Sequence, residues 1–153
     1  MRQRASLRLE GFAPFRLNRL AAAVSQYLAA IYRGRFALEI PAWRVMATVG
    51  QDRGCTAQHV ADSTRMHKTR VSRAIAQLTR RGLIERVASA RDRRERLLRL
   101  TRAGRRMYAR LVPLVLQRER TLLAALSAAE RRAFLRGLGR LEDFLGVRRP
   151  RRS

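Results

Sequence analysis

Residues 67–104, HKTRVSRAIAQLTRRGLIERVASARDRRERLLRLTRAG, decide the fold of this chain. In the first part of the stretch, Val71, Ile75 and Leu78 recur at intervals of four and three residues. That spacing is typical of a helix with one apolar face. Gly82 follows the last apolar turn and is a residue that commonly ends helices.

The second part of the stretch predicts a β-hairpin. Two short segments contain stretches in which apolar and polar residues alternate, LIERVAS at 83–89 and RERLLRL at 94–100. The charged turn ARDR at 90–93 separates them. Two short strands joined by a tight polar turn are typical of a two-stranded antiparallel hairpin. A hairpin that directly follows a helix is the arrangement called a wing.

A shorter helix is predicted just before the stretch, in TAQHVAD at 56–62, with Thr56 as a good N-cap. Two short helices joined by a tight turn have the spacing of a helix-turn-helix, whose second helix lies in the major groove of DNA. Arginine can bind both acceptors of guanine there, and glutamine can do the same for adenine. The second helix carries polar residues opposite its apolar face. The alternative is that these residues only form a solvated surface. The candidate DNA-binding residues on the second helix are Lys68, Thr69, Arg70, Ser72, Arg73 and Gln77.

The wing turn adds further candidates for DNA binding, Arg91, Arg93 and Arg94. An arginine at a wing tip can enter the neighbouring minor groove, because the negative potential there attracts it. Asp92 would repel phosphate, so its predicted role is to hold an arginine in position through a charged hydrogen bond. The alternative is that Asp92 is only a turn residue.

Longer helices are predicted on both sides of this middle part. The first runs from Phe12 to Tyr32, with Pro14 in its first turn and Gly34 as its stop. A second, shorter helix is predicted between Pro41 and Gly50.

After the hairpin, Thr101 is the predicted cap of a long fifth helix that runs through Leu126 and contains Pro113. Ser127 and Glu130 have the spacing of a capping box and predict the start of a sixth helix. The outer helices carry more apolar surface than a small middle domain can cover, which predicts a dimer.

Composition narrows the class of partner. The 153 residues include 35 Lys and Arg against 11 Asp and Glu, a net charge of +24, and Lys68 is the one lysine. Such an excess predicts a polyanionic partner, first nucleic acid and second an anionic membrane surface. Genomic base composition would explain the ratio of arginine to lysine, but it would not explain the missing carboxylates. The chain is 46% hydrophobic, which is enough to build a core.

Several classes of protein and site are disfavoured by the same sequence. No segment has the length of a membrane span or the apolar stretch of a secretory signal, so we expect a soluble cytoplasmic protein. No catalytic motif is recognisable, and we expect neither an enzyme nor a cofactor. The single cysteine, Cys55, excludes an internal disulfide and is interpreted as a buried thiol rather than a redox sensor. Zinc binding by Cys55 with His59 is disfavoured because no carboxylate has ligand spacing beside them.

Four blocks together resemble the MarR family of bacterial winged helix-turn-helix regulators: PFRLNRLAAAVSQYLAAIY, IPAWRVMATVG, HKTRVSRAIAQLTRRGLIER and DRRERLLRLTRAG. The resemblance covers the chain from about Leu9 to Leu145, and the last block is its most specific part. It implies a mainly α fold, with six helices plus a two-stranded β-wing, in an intertwined homodimer. The dimerisation helices would be residues 9–34 and 104–146, the winged helix-turn-helix 38–103, and a basic tail 147–153.

The family pattern also implies roles for single residues. The dimer would bind a pseudo-palindromic operator in double-stranded DNA, with Arg93 in the minor groove and Arg94 as a structural or phosphate-binding partner. Where the family often has an acidic residue before the recognition-helix lysine, this chain has His67, which predicts a weaker helix cap.

Many proteins of the family release DNA when a small anionic aromatic compound binds. If that property carries over, the candidate ligand-binding residues here are Phe15, Asn18, Trp43, Arg44 and Tyr108. The alternative is that Phe15 and Trp43 are ordinary core residues and that Arg44 is a surface charge, since no motif marks a pocket.

Three functions remain open from the sequence. The first is a sequence-specific transcriptional regulator, expected to be a repressor, and the wing and the polar helix face favour it. The second is an architectural nucleoid protein without sequence choice. The third is a basic protein attached to RNA or to an anionic membrane. The architectural function is favoured by arginines outside the winged segment: Arg105, Arg106, Arg110, Arg131, Arg132, Arg148 and Arg149.

Overall fold

The structure is a computed structural model that describes residues 7–52, 54–89 and 94–147. Within those residues it contains six α-helices and one two-stranded antiparallel sheet, as predicted. A short 3-10 turn, Leu9–Gly11, precedes the first helix. In chain order the elements are α1 (Ala13–Phe36), α2 (Ile40–Gln51), α3 (Ala57–Thr64), α4 (Lys68–Arg80), β1 (Ile84–Ala88), β2 (Arg96–Leu100), α5 (Arg102–Leu123) and α6 (Ala128–Phe144).

The chain divides into two compact units, Met1–Ile40 and Pro41–Ser153. The first unit contains α1, which has Pro14 in its first turn as predicted. The predicted stop at Gly34 is wrong, because α1 continues to Phe36. The helix ends instead at Ala37, which has a left-handed φ of 50° and whose amide donates to the Arg33 carbonyl at 3.2 Å.

Burial explains the later end of α1. Phe36 and Leu38 flank the left-handed residue and both are buried. Nothing lies within 4 Å of the place where a side chain at Gly34 would start, so no neighbouring group favours an end there. The gain from burying two large apolar side chains outweighs the strain of a left-handed alanine.

Three helices of the second unit begin at the predicted hydroxyl caps. The side chain of Thr56 accepts from the His59 amide at 3.1 Å, and that of Thr101 accepts from the Gly104 amide at 3.0 Å. Ser127 forms the predicted capping box with Glu130, whose carboxylate accepts from the Ser127 amide at 2.8 Å. Each cap satisfies amides that the first helical turn leaves without a partner.

The predicted end of the fifth helix at Leu126 is three residues too late, because α5 ends at Leu123. Beyond Leu123, backbone amides donate to carbonyls three residues earlier in the chain. The amide of Ala125 donates to the Leu122 carbonyl at 3.3 Å, and the amide of Leu126 donates to Leu123 at 3.1 Å. This tightening brings the chain to the Ser127 cap of α6.

The helix α4 buries the apolar face that its sequence predicts. Val71, Ile75 and Leu78 are buried together with Ala74, and α4 packs against α3 and β1. Gly82 ends the segment at a φ of 65°, as predicted. The amide of Gly82 donates to Thr79 and that of Leu83 donates to Leu78, both at 2.9 Å, which is the bond pair of a Schellman motif.

The hairpin begins at Ile84, two residues after Gly82, and is hydrogen-bonded to a neighbouring segment of the chain. Its register pairs Ile84 with Leu100 at the base and Ala88 with Arg96 near the tip. Cys55 adds a short third segment, since its amide and carbonyl both bond to Leu98.

The junction between the hairpin and α5 is closely packed. The hydroxyl of Thr101 donates to the Gly82 carbonyl at 2.6 Å, and the Thr101 amide donates to the Leu83 carbonyl at 3.1 Å. Gly104 is buried with its Cα against that same Leu83 carbonyl, so that an added Cβ would overlap the backbone. The end of α4, the hairpin and the start of α5 therefore form one packed block.

The helix α6 differs from the rest of its unit, because none of its residues is buried. Its apolar side chains are exposed, and Phe144 reaches 85% exposure. In the described stretches, no helix combines the length and the hydropathy that crossing a bilayer requires.

Candidate nucleic-acid interface

The turn before α4 sets where the candidate DNA-binding helix begins. Arg65 has a left-handed φ of 54°, and Met66 after it is buried, which fixes the turn against the core. His67 is the N-cap, and its Nδ1 accepts from the Thr69 amide at 3.3 Å. A cap is therefore present where the resemblance predicts a weaker one, because a neutral imidazole can use a ring nitrogen in place of a carboxylate oxygen.

The face of α4 opposite its buried residues is exposed and basic. Five of the six predicted residues are exposed, namely Lys68, Thr69, Arg70, Ser72 and Arg73, and Gln77 is half-buried. At 100° per residue, Thr69 and Arg73 lie directly opposite the buried stripe.

Arg80 continues the line of Thr69 and Arg73 and is also exposed, although sequence reasoning missed it. Its spacing from these two residues, eleven and seven positions, would have placed it on the same face. A helix that lies in a groove along this face would present Arg73 and Arg80 about two turns apart.

Lys68 and Ser72 lie on one flank of α4 rather than at the centre of the polar face. They border a shallow groove that α3 and β1 complete, and this groove also includes Arg86 of β1, which sequence reasoning missed as well. Arg86 stands opposite Leu98 in the hairpin and is exposed. The groove is lined by Ala57, Gln58, Ala61, Lys68, Val71, Ser72, Ile75 and Arg86.

The candidate wing residues are described only in part. Arg91, Asp92 and Arg93 lie outside the described residues, so their predicted roles stay predictions. Arg94 is exposed at the start of the returning chain. The amide of Ser89 donates to the Glu95 carbonyl at 3.0 Å, which closes the hairpin just below the tip.

The candidate ligand-binding residues fall in both units. In the second unit, the rings of Trp43 and Tyr108 stack at 6.4 Å between centroids with an interplanar angle of 26°, and both residues are half-buried, as is Arg44. In the first unit, Phe15 and Asn18 are exposed on α1. The structure thus brings Trp43 and Tyr108 together as a packed pair.

Cys55 and His59 have separate surroundings. Cys55 is buried, and burial together with the negative charge of Asp52 raises the pKa of its thiol from 9.0 to about 12. A thiol with so high a pKa is a weak nucleophile near neutral pH. His59 Nε2 lies 2.7 Å from the Asp52 carboxylate and 3.2 Å from the Ser63 hydroxyl, so this contact links the end of α2 to α3.

Comparison with known protein families matches residues 38–95 to the MarR family. The match extends from just before α2 to just before β2, so it contains the helix-turn-helix and the first strand of the wing. This segment of the chain is similar to the MarR family. A comparison with curated protein sequences gave no match.

Solved structures agree over nearly the whole chain. A MarR family transcriptional regulator from Silicibacter pomeroyi DSS-3 is 29% identical, with a TM-score of 0.74 over 89% of this chain and 98% of that one. A MarR/EmrR family regulator from Acinetobacter sp. ADP1 is 23% identical, with a TM-score of 0.82 over 92% and 99% of the two chains. BpsR of Bordetella bronchiseptica, whose DNA binding is regulated by 6-hydroxynicotinic acid, is 22% identical, with a TM-score of 0.78 over 91% and 99%.

The matched segment and the shared fold indicate the class of protein that the chain resembles. The chain has the winged helix-turn-helix fold of the transcriptional regulators to which it is similar. The exposed basic face of α4 is the part of the described structure best suited to contact DNA.

Proposed function

We propose that this protein is a sequence-specific repressor that binds double-stranded DNA as a homodimer and is released from its operator by a small anionic aromatic compound. One observation carries the proposal. The apolar face of α4 is fully covered within its own unit, while Thr69, Arg73 and Arg80 on the opposite face are exposed. A helix held rigidly by one face, with a basic polar face outward, fits the major groove.

The residues of α4 divide by the contact that each can make. Arg73 and Arg80 stand at the centre of the exposed face, where a guanidinium can bind both acceptors of a guanine. Thr69 lies on the same line and can contact a phosphate or a thymine methyl group. Arg70 and Gln77 lie together on one flank, where Gln77 can pair with adenine. On the other flank, Lys68 and Ser72 are suited to phosphate, because they stand beside Arg86 in the groove.

The wing is proposed to contact the neighbouring minor groove through Arg93. Arg91 and Arg94 would bind phosphates on either side of that groove, and Asp92 would hold an arginine side chain in position. The described hairpin supports this arrangement, because its paired strands and its bonds to Cys55 make a rigid stem below the tip.

Dimerisation is supported by apolar surface that the protomer leaves exposed. On α6, Phe134, Leu135, Leu138 and Leu141 recur on one face and are 38–49% exposed. On α1, Leu17 and Leu20 are 43% and 50% exposed. A monomer rarely exposes apolar surface of this extent, and a second copy of the chain is the partner that would cover it. Two copies would present two α4 helices to the two halves of a pseudo-palindrome in the nucleoid of a bacterial cytoplasm.

The ligand part of the proposal depends on the pair of Trp43 and Tyr108 with the neighbouring Arg44. A stacked aromatic pair can contact the ring of an aromatic carboxylate, and Arg44, the next residue on α2 after Trp43, could bind its negative charge. The regulation of BpsR by 6-hydroxynicotinic acid supports this chemical class by analogy. In the first unit, Phe15 and Asn18 stay candidate ligand-binding residues on the sequence alone.

The experiment that tests the proposal is footprinting on the promoter of the protein's own gene, with quantitative binding to the protected site. We expect a protected palindrome and an affinity roughly a thousandfold or more above that for random DNA.

Arg93→Ala should weaken operator binding by about tenfold or more, as expected for a lost groove contact of roughly 1–3 kcal/mol, with an unchanged melting temperature. Arg35→Ala, at an exposed position near the end of α1, is the matched control and should leave binding unchanged.

The competing function is an architectural protein that coats DNA, which the many arginines outside the winged segment favour. Such a protein would protect the promoter evenly, without a palindrome. The logarithm of its binding constant would fall with the logarithm of the salt concentration, with a slope of roughly 0.9 for each phosphate contact. This slope would be the same on all DNA sequences. Even protection of this kind would contradict the repressor proposal.

A further inference from the structure

Three arginines form a ridge along α6. Arg132, Arg136 and Arg140 are spaced four residues apart, so they lie on one side of the helix, and all three are exposed. We call this set the α6 ridge. It lies opposite the apolar face formed by Phe134 and Leu138. Burial of the apolar face against a second copy would therefore leave the α6 ridge in solvent.

The acidic residues near the α6 ridge do not neutralise it. Asp143 lies on the same side, within one turn of Arg140, which leaves three positive charges against one negative charge. Glu130 at the start of the helix is engaged in the Ser127 capping box, and those hydrogen bonds to Ser127 lower the pKa of its carboxyl.

The spacing of the α6 ridge fits a nucleic-acid backbone. At about 1.5 Å of rise per residue, the ridge spans about 12 Å. Phosphates on one DNA strand follow each other about every 3.4 Å along the helix axis, so the ridge runs past three or four of them. Arginine suits this contact, because its planar guanidinium can donate two hydrogen bonds to one phosphate.

We propose that the α6 ridge is a second DNA-binding surface, which contacts the phosphate backbone of a duplex without reading its sequence. This inference rests on the proposed function in one respect, namely that a second copy covers the apolar face of α6. It explains positive charge that neither α4 nor the wing uses. It also predicts that the protein has a sequence-independent affinity for duplex DNA that is separable from operator recognition.

The test compares two full-length variants that remove the same charge. The ridge variant carries Arg132→Gln, Arg136→Gln and Arg140→Gln. The control variant carries Arg8→Gln, Arg16→Gln and Arg35→Gln, which are exposed positions that form no line on one helix. Helical content and mass in solution are measured first for both variants, because binding is compared only between folded dimers.

Binding of a random-sequence duplex is then followed by fluorescence anisotropy across a salt series. In a plot of the logarithm of the binding constant against the logarithm of the salt concentration, the ridge variant should lose about 0.9 of slope for each phosphate contact removed, up to roughly 2.7 per protomer. It should also bind at least about tenfold more weakly at low salt. The control variant should keep the slope of the natural protein. The operator variant Arg93→Ala should keep the ridge-dependent slope while losing its preference for the operator.

Equal slopes for the ridge and control variants would overturn the inference, because total charge rather than placement would then set the affinity. A ridge variant with unchanged slope would overturn it too. Loss of binding to single-stranded RNA or to anionic vesicles, with duplex binding intact, would assign the ridge to a different partner and would also overturn it. Absence of operator preference in the natural protein would contradict the proposed function alone, since the slope comparison needs no operator.

Discussion

The helices α4 and α6 have a similar pattern of arginines and apolar residues but opposite surroundings. Both are amphipathic, with arginines on one side and apolar residues on the other. In α4 four residues are buried against α3 and the hairpin, whereas in α6 none is buried. The difference shows which face of each helix is used within the chain: α4 has only its polar face left for a partner, and α6 has both faces left.

The largest effect should come from removing a leucine on each helix. Leu78 of α4 is fully buried, so Leu78→Ala should lower the free energy of unfolding by roughly 2–5 kcal/mol. Leu141 of α6 is 48% exposed, and Leu141→Ala should mainly weaken the dimer. Thermal unfolding measures the first effect, and sedimentation at several protein concentrations measures the second. If Leu141→Ala left the dissociation constant of the dimer unchanged, the apolar face of α6 would not be an interface.

A smaller effect is expected from adding one methyl group to a glycine in each region. A Cβ at Gly104 would overlap the Leu83 carbonyl, so Gly104→Ala should destabilise the winged unit by roughly 1–3 kcal/mol. Nothing lies within 4 Å of the corresponding position at Gly137 in α6, so Gly137→Ala should stabilise the helix by about 1 kcal/mol. Chemical denaturation of both variants measures whether the free energy of unfolding falls for Gly104→Ala and rises for Gly137→Ala. Destabilisation by Gly137→Ala would show that a partner approaches α6 closely at that point.

The effect that is smallest near neutral pH concerns Cys55 in the winged unit, and it develops only at alkaline pH. Because burial raises the pKa of Cys55 to about 12, the folded state keeps the thiol proton that the unfolded chain releases near pH 9.0. The stability that this proton provides is complete below pH 9.0 and is lost between pH 9.0 and about 12. The loss is at most about 1.4 kcal/mol per pH unit. Melting temperatures from pH 8 upward should therefore fall more steeply for the natural protein than for Cys55→Ala. Parallel curves would mean that Cys55 is accessible when folded.

Local chemistry made much of the fold predictable from the sequence. Thr56, Thr101 and Ser127 begin helices as expected, because each hydroxyl satisfies amides of its own first turn. Gly82 ends α4 for an equally local reason, its positive φ. The end of α1 was not predictable in this way, since burial of Phe36 and Leu38 moved it past Gly34.

The candidate site was predictable where a helix face defines it. The spacing of Val71, Ile75 and Leu78 identified the exposed side of α4, and Arg80 could have been added from the same spacing. Arg86 could not, because its place beside Lys68 depends on how β1 packs against α4. The roles given to Arg91, Asp92 and Arg93 rest on the sequence alone.

The stacked pair of Trp43 and Tyr108 also constrains how this protein can vary. A Cβ at Gly50 would lie 2.7 Å from the Tyr108 ring, and that ring is held against Trp43. A side chain at position 50 therefore requires the ring at position 108 to shift. Homologues with a side chain at position 50 should have a smaller residue at position 108, and a double-mutant cycle with Gly50→Ala and Tyr108→Leu should reveal a favourable coupling energy between the two changes.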